Sequence, residues 1–232
     1  MAIERFKGVR KNLVPNNSES LRNKVYDYLR GEMDKGILLP GALINLNEMS
    51  ERFKVSKTPL REALLRLEAE GFVSIRPRSG IIINRLELED IRYLYEVVAA
   101  IEAALIDTIF DRFDDSHTAL MERLNVAMRT AIESGDYVAY DKPHWDFHNL
   151  FTEMSGNALA QRIITPIRQR LWDFPRRRNH QQWELMACDE HQQITEAIKS
   201  GNRSEALRVV KEFHWNFTYN EKFIRWVYFP SV

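Results

Sequence analysis

The chain has 232 residues, of which 44% are hydrophobic, 28% charged and 11% aromatic, and its formal net charge is zero. This composition supplies enough apolar surface to exclude a wholly disordered chain, and the length favours two domains over one. No run of about 18 uncharged apolar residues is present, so we expect no membrane span, and the charged N-terminus lacks the apolar run of a secretory signal.

The charge is unevenly divided along the chain. Residues 1–85 contain 16 Lys and Arg against 10 Asp and Glu, whereas residues 86–232 contain 17 against 23. A basic segment joined to an acidic one is typical of a phosphate-binding module attached to a module that does not bind nucleic acid. The single cysteine, Cys188, cannot form an internal disulfide, which favours a reducing, cytoplasmic location.

The first predicted elements are an irregular arm and a helix. Residues 1–17 show no hydrophobic periodicity and include Pro15, so they are predicted to form a flexible N-terminal arm. From Ser18, apolar residues recur at helical spacing as far as Gly36, which predicts a first helix.

Two further helices are predicted from their capping residues. Asn45 followed three residues later by Glu48 predicts a capping box for a short helix over residues 46–53. Ser56 is a good N-cap for a third helix that ends before Gly71. The buried stripe of this third helix is predicted to be Leu60, Leu64 and Leu67.

A β-hairpin is predicted to follow the third helix. Two short apolar runs, Phe72 to Ile75 and Ile81 to Ile83, flank a basic tip that contains Arg78 and Gly80. Residues 18–85 are therefore predicted to form a winged helix-turn-helix, with three helices and a hairpin wing.

The third helix carries the chemistry expected of an element that enters the major groove of DNA. Its N-terminal amides and dipole favour phosphate, and side chains on its exposed face can contact base edges. Lys57 and Arg61 are four residues apart and share a face. Arg61 is suited to a bidentate contact with guanine, whereas Ser56, Lys57 and Thr58 are suited to phosphate or mixed contacts. The alternative is an ordinary helix cap with Arg61 as a solvated charge.

The run VSKTPLREALLRLEAEGFVSIRPRSGIII, preceded by LPGALINLNEMSERF, resembles the winged-helix signature of the GntR family of transcription regulators. The resemblance implies base contacts by Arg61 and Lys57, a neighbouring contact by Asn47, and approach of the wing around Gly80 to the minor groove. Lys57 stands where the family more often has Arg, and Asn47 where some members have Arg. The operator sequence therefore cannot be carried over from the family.

The pattern is helical throughout residues 86–232, and we expect an all-α bundle of six or seven helices. The predicted helices cover residues 88–112, 117–133, 137–154, 157–173, 181–199 and 203–227. Helix stops are expected at Gly135, Gly156, Pro166, Pro175, Gly201 and Pro230.

This helical half resembles the FCD ligand-binding domain of the FadR subfamily of GntR regulators. The residues that carry the resemblance are Glu102 on a long helix, the run HWDFHNLFTEMSGNALA from His144, and the run HQQITEAIKSGNRSEAL from His191. The resemblance implies an effector-binding and dimerisation domain with a divalent metal held by an Asp, a His four residues later and two further His residues. It also implies a small carboxylate or sugar acid as effector.

Four histidines are candidate metal ligands. His144 and His148 are four apart and share a helix face, and His191 and His214 each lie on an apolar stripe. Against the family pattern, His144 replaces the Asp, and the last expected His aligns with Phe213. One residue turns a helix by about 100°, so His214 reaches the site only if the helix rotates. An all-imidazole site would suit Zn, Ni, Cu or Fe better than Mg or Ca. The alternative is that these histidines are polar core residues.

Together these observations predict a homodimeric repressor that binds double-stranded operator DNA, because one winged helix contacts only one half-site. Val98 stands four residues before Glu102, where the family commonly has an Arg, so the nature of the effector stays open. One alternative is a metal-responsive regulator without an organic effector. A metal-dependent enzyme, for which Asp146 or Glu190 could be proposed as the base, is less favoured because no HExxH-type pairing places a base beside the ligands. We predict that the chain is not an enzyme.

Overall fold

A computed structural model describes residues 18–76, 80–172 and 179–229. The chain divides into two compact units between Arg85 and Leu86. Several residues singled out in the sequence lie outside the described residues. They are the predicted arm at 1–17, Arg78 of the wing, and the two expected stops Pro175 and Pro230.

The N-terminal unit is a winged helix-turn-helix, as predicted. Its elements in chain order are α1 (Ser18–Asp34), β1 (Leu43–Ile44), α2 (Leu46–Phe53), α3 (Lys57–Ala69), β2 (Val73–Arg76) and β3 (Gly80–Ile83). The strands form an antiparallel sheet in the order β1-β3-β2, in which Leu43 pairs with Ile82 and Val73 with Ile83. The two-residue strand β1 was not predicted, because such a short segment shows no periodicity.

The predicted stripe of α3 forms the core of this unit, since Leu60, Leu64 and Leu67 are fully buried. The capping of α2 differs from the prediction. The Asn45 side chain accepts a hydrogen bond from the amide of Asn47, but Glu48 accepts one from the Asn45 side chain rather than from its backbone. The capping box is therefore only half formed. Between α2 and α3, Lys54 adopts a left-handed conformation with φ of 52°.

The C-terminal unit is an all-α bundle, which confirms the predicted fold class. Its helices are α4 (Leu88–Ile109), α5 (Asp115–Ser134), α6 (Tyr137–Ser155), α7 (Ala158–Trp172), α8 (Gln181–Lys199), α9 (Arg203–Val209) and α10 (Phe217–Tyr228). A 3₁₀ turn, Phe110–Arg112, extends α4. Pro166 lies inside α7, so its prediction as a helix stop was wrong. Proline removes one backbone hydrogen bond, and the packing of α7 against α4 supports the helix across it. No helix of the described residues is long and apolar enough to cross a membrane.

The last predicted helix, over residues 203–227, is interrupted. A π-helical turn, Val210–His214, follows α9, and Asn216 caps the start of α10 by accepting a hydrogen bond from the amide of Tyr219. The amide of Trp215 donates to the carbonyl of Val210 at 2.9 Å, five residues back. A π turn inserts one extra residue into a helical path. This insertion changes which face of the segment His214 occupies.

Candidate functional site

The predicted DNA-contacting residues that the structure describes all lie on the surface of the N-terminal unit. Ser56 is the N-cap of α3, but its hydroxyl makes no capping hydrogen bond, and the first turn of α3 contains no acidic residue. The helix N-terminus therefore combines free amides, a free hydroxyl and positive charge, a combination that binds phosphate. The exposed predicted residues are Asn47, Ser56, Lys57, Thr58, Arg61 and Gly80.

A second arginine of α3 has a different role. The guanidinium of Arg66 lies 3.8 Å from the ring centre of Tyr26 and forms an ion pair with Glu70 at 2.9 Å. The Tyr26 hydroxyl also donates to Glu70, and burial raises the pKa of Tyr26. Arg66 is thus held by intramolecular contacts, although both it and Arg61 are exposed on this helix.

The four predicted metal ligands come together inside the C-terminal unit. The Nε2 atom of His148, on α6, lies 3.2 Å from Nε2 of His191 on α8 and 3.4 Å from Nε2 of His214 on the π turn. His144, one turn before His148, also belongs to the cluster, because ligand atoms of His144, His148 and His191 lie within 4.8 Å of one another. All four are buried, with at most 8% of each residue exposed. We call these four residues the histidine cluster.

Buried carboxylates contact the opposite ring nitrogens of two of these histidines. Glu102 lies 3.0 Å from Nδ1 of His148, and Glu190 lies 2.8 Å from Nδ1 of His214. A carboxylate that accepts from Nδ1–H fixes the tautomer and leaves the Nε2 lone pair facing the cluster. Nδ1 of His191 is buried without a hydrogen-bond partner among the described residues.

Glu102 is the centre of a fully buried charged network. It forms an ion pair with Arg168 of α7, and both side chains have no exposed surface. The indole Nε1 of Trp215 donates to Glu102 at 2.9 Å, and Arg168 also donates to the backbone carbonyl of His148 at 3.4 Å. This network connects α4, α6 and α7 on the Nδ1 side of the His148 ring.

The surroundings keep two of the imidazoles neutral. Burial, followed by the charges of His214 and Arg168, lowers the pKa of His148 well below its usual value. Burial, followed by the neighbouring histidines, does the same to the pKa of His191. Neutral imidazole is the form that coordinates a metal ion.

The π turn explains how His214 reaches the cluster despite the one-residue offset in the sequence. Asn220 of α10 holds the turn, donating to the carbonyls of Phe213 at 2.8 Å and His214 at 3.3 Å. Asn220 in turn accepts from the indole Nε1 of Trp183 at 2.7 Å. The extra residue of the turn therefore supplies the rotation that a regular helix would lack.

A cavity lies beside the histidine cluster. Its volume is about 40 Å³, and His144 and His214 form part of its wall. Two buried carboxylates, Glu184 and Glu190, also line it. Its aromatic walls are Tyr95, Tyr140, Trp172, Trp183, Trp215 and Tyr228.

Sequence reasoning missed several residues of this site. No local sequence pattern identifies Arg168 as part of the site, because its partner Glu102 lies 66 positions away in the chain. Glu190 was considered only as the possible base of an enzyme, and Asn220 has the spacing of an ordinary helix residue. Only the offset of His214 from the family pattern signalled that the last helix is irregular. Cys188 takes no part in the site: burial raises the pKa of its thiol to about 12, so it is not an activated nucleophile.

Comparison with known proteins assigns the two units to families. Residues 21–83 match the family described as bacterial regulatory proteins, gntR family, and residues 93–214 match the FCD domain. The HTH-type transcriptional regulator YdhC of Bacillus subtilis is 25% identical over 190 residues, which cover 80% of this chain and 84% of that protein. The HTH-type transcriptional repressor RspR of Escherichia coli is 28% identical over 145 residues, covering 62% of this chain and 64% of that protein.

A solved structure has the same fold. Escherichia coli McbR/YncC superposes with a TM-score of 0.67 at 17% identity, over 89% of this chain and 98% of that one. The relatives are named as regulators, and the FCD match alone covers more than half of the chain. The chain is accordingly not an enzyme but a DNA-binding transcription regulator, and it belongs to the GntR family, in which it resembles the FadR-like members that carry an FCD domain.

Proposed function

We propose that this regulator is a homodimeric repressor whose FCD domain holds a divalent transition metal on the histidine cluster and responds to a small effector in the adjacent cavity. The observation that carries the metal proposal is the approach of the Nε2 atoms of His191 and His214 to that of His148. His144 joins His148 and His191 within 4.8 Å, and Glu102 lies within the same distance of His148 and His214. His148 Nε2 lies 3.2 Å from one of its neighbours and 3.4 Å from the other.

Each of these two separations matches the distance between two ligand nitrogens on a tetrahedral metal ion. Two nitrogens bound at 2.0–2.1 Å to a tetrahedral ion are about 3.3–3.4 Å apart. His148, His191 and His214 would supply three ligands through Nε2, and His144 is the candidate for the fourth. Glu102 faces Nδ1 of His148, on the far side of the ring, so it orients this ligand. A donor set made of imidazoles favours Zn, Ni, Cu or Fe.

A bound ion would connect α6, α8 and the π turn, and would act as a Lewis acid toward any group that reached it. Four imidazoles would close a tetrahedral site, as in structural zinc centres, and leave no position for an organic ligand on the metal. This donor count favours a second candidate function, in which the metal itself is the signal. The two functions differ in whether a small molecule changes operator affinity at constant metal occupancy.

On the DNA side, we infer that Arg61 contacts bases, that Lys57 makes phosphate or mixed contacts and that Asn47 makes a neighbouring contact. Ser56 and Thr58 would bind phosphate, and the wing with Arg78 and Gly80 would approach the minor groove. The exposure of the described members of this set supports these roles. Repression is supported by the similarity to RspR, which is named as a repressor.

Dimerisation is supported by exposed apolar residues on two helices that pack together, α4 and α7. Tyr93 and Val97 on α4 are 55% and 40% exposed, and Leu159 and Ile163 on α7 are 56% and 44% exposed. We propose that these side chains are covered in a two-fold dimer. Sedimentation of a Val97→Asp, Ile163→Asp variant should show a monomer, and an unchanged dimer would contradict this assignment of the interface.

Elemental analysis of protein purified without a histidine tag tests the metal site. We expect about one transition-metal ion per chain, and its loss in His191→Ala. The matched control is His117→Gln, which changes a histidine of α5 outside the cluster. Less than about a tenth of an equivalent after reconstitution would refute the metal proposal.

Gel-shift titrations then separate the two candidate functions. With operator DNA and a fixed, saturating metal concentration, an effector-responsive regulator changes affinity when metabolite fractions are added. A metal sensor changes affinity only when the metal is removed. A ligand shifts the equilibrium between two protein states only by its difference in affinity for those states. The change in operator affinity therefore measures that difference for the effector in the first case and for the metal in the second.

A further inference from the structure

We propose that Leu65, on the exposed face of α3, contacts the 5-methyl group of a thymine in the operator and so adds an apolar contact to the recognition of the DNA sequence. The inference rests on the proposed function in one respect, because it takes the exposed face of α3 to lie in the major groove. Three observations support it: the exposure of Leu65, its position relative to Arg61, and the small size of the apolar surface that it offers.

Leu65 is an exposed apolar side chain on a helix whose other leucines form the core of the unit. Its exposed fraction is 57%, whereas the leucines of the core stripe on the same helix are completely buried. On α2 and α3, both of which the structure describes in full, it is the one exposed large hydrophobic residue. Water around this side chain costs free energy, and an apolar partner would remove that cost.

Leu65 lies on the same face of α3 as the proposed DNA-contacting residues. It follows Arg61 by four residues and Thr58 by seven, and these spacings place side chains above one another on a helix. Arg61 and Thr58 are themselves exposed. Four residues rise about 6 Å along the helix axis, which is the length of about two base pairs. A helix that lies along the groove with Arg61 at a guanine therefore brings Leu65 to a base about two pairs away.

The exposed face of α3 becomes less cationic beyond Arg61. The next arginine, Arg66, contacts the ring of Tyr26 and is paired with Glu70, so its charge is directed back at its own unit. Ala69, four residues after Leu65, is also exposed. In the major groove, the 5-methyl group of thymine is the apolar group at a base edge. Leu65 offers the apolar surface that suits this methyl group.

The size of the apolar surface favours a base over a protein as its partner. Apolar surfaces that bind proteins are usually contiguous patches of several hundred Å². Two charged and exposed residues, Arg61 and Glu62, share the exposed face with Leu65 and interrupt such a patch. The other exposed large hydrophobic residues described in this unit lie between residues 37 and 43, outside α2 and α3. A single leucine matches one methyl group instead.

Deoxyuridine substitution tests the inference, because uracil differs from thymine only in lacking the methyl group. A duplex is first selected from a random-sequence library with the full-length protein, and each thymine of one half-site is then replaced in turn by deoxyuridine. We expect one position at which the wild type loses affinity by about fourfold, the effect of one buried methyl group. At that position, Leu65→Ala should not distinguish the thymine duplex from the uracil duplex.

Two further variants show whether the effect belongs to the apolar side chain at this position. Leu65→Met keeps an apolar side chain of similar length and should retain the preference for thymine. Leu43→Ala removes a leucine of β1 that is 67% exposed, and should also retain this preference because it leaves α3 unchanged. Since Leu65 is exposed, its variants should fold as the wild type does, which circular dichroism verifies.

The inference is overturned if no thymine position shows this loss in the wild type, or if Leu65→Ala shows the loss unchanged. A parallel series with 7-deazaguanine, which lacks the N7 acceptor, tests the proposed contact of Arg61. If Arg61→Ala abolishes the response to 7-deazaguanine while Leu65→Ala leaves the response to deoxyuridine unchanged, the inference fails and the proposed position of α3 stands. If neither variant alters its response, the proposed position of α3 in the major groove fails as well.

Discussion

The candidate functional residues of the two units lie in opposite environments. In the N-terminal unit, those that the structure describes are exposed and fall within residues 47–80. In the C-terminal unit they are buried and are contributed by residues from Glu102 on α4 to His214 on the π turn. A surface site of this kind is encoded by a local motif, whereas the buried site exists only after distant helices have packed.

This difference has an energetic consequence. An exposed Arg61 can be changed with little effect on folding, because it gives up no buried contact. The histidine cluster, by contrast, shares its network with the bundle core, so changes that remove function there also remove stability. All five tryptophans of the chain lie in the C-terminal unit, so tryptophan fluorescence follows the unfolding of that unit alone.

The largest effect is expected for Arg168→Met. The substitution leaves Glu102 as a buried carboxylate without its cation, and removing one partner of a buried ion pair typically costs about 3–5 kcal/mol. Urea unfolding followed by tryptophan fluorescence should show a loss of this size.

The control for this prediction is the double variant Glu102→Gln, Arg168→Met, which removes both charges. It should recover most of the lost stability, because no uncompensated charge is left in the core. An Arg168→Met variant that unfolds within about 0.5 kcal/mol of the wild type would show that Glu102 is solvated, and that the site is not the closed core described here.

Asn220→Ala should have the second largest effect. It removes the donor to the π-turn carbonyls and the acceptor for the indole of Trp183, so buried polar groups lose their partners, at about 1–3 kcal/mol. Because the turn positions His214, metal affinity should also fall, by about ten- to a hundredfold, as for other residues that orient ligands.

Asn216→Ala is the matched control for Asn220→Ala. Asn216 caps α10 next to the same turn, and its loss should cost about 1 kcal/mol without changing metal affinity. Equal losses of metal affinity in the two variants, measured by competition with a chelator, would show that Asn220 does not act through His214.

The sequence predicts the N-terminal unit almost completely, because capping residues, Gly71 and the apolar runs each act over a few positions. Among the described residues of this unit, the differences are β1, the half-formed capping box at Asn45 and the missing capping hydrogen bond of Ser56. In the C-terminal unit, periodicity predicts most helix bounds to within about two residues, including the helix over 157–173, although Pro166 by itself indicated a stop within that helix. The continuation of the helix through Pro166 depends on packing against α4, which no local pattern shows.

The metal-site residues divide in the same way. His144 and His148 are recognisable together because four-residue spacing puts them on one helix face. The proximity of Glu102 to Arg168 and of His214 to His148 depends on tertiary structure and on a π turn, whose extra residue has no compositional signature. The four histidines of the proposed site could therefore be named from the sequence, but the network around them could not.

A smaller effect, on DNA selectivity rather than on folding, is expected for Arg61→Ala. Loss of a bidentate contact to guanine should reduce discrimination by about 1–3 kcal/mol, measured as the ratio of operator to random-duplex affinity at fixed salt. Lys57→Ala should instead weaken both affinities and reduce the salt slope by about one. Arg66→Ala, which changes the internally paired arginine of α3, should alter stability and leave selectivity unchanged. An Arg61→Ala variant with full selectivity would remove the proposed base contact.

The smallest effect is expected for Lys54→Gly, which tests whether stability and DNA binding can be changed separately in the N-terminal unit. Lys54 has a φ of 52°, a conformation that costs an L residue free energy but not glycine. Glycine should therefore stabilise this unit by about 0.5–1 kcal/mol, measured by amide hydrogen exchange in α2 and α3. Lys54→Ala is the control, because it removes the same charge and keeps the β-carbon. If alanine stabilises as much as glycine, the gain comes from lost charge repulsion and the backbone at Lys54 is not strained.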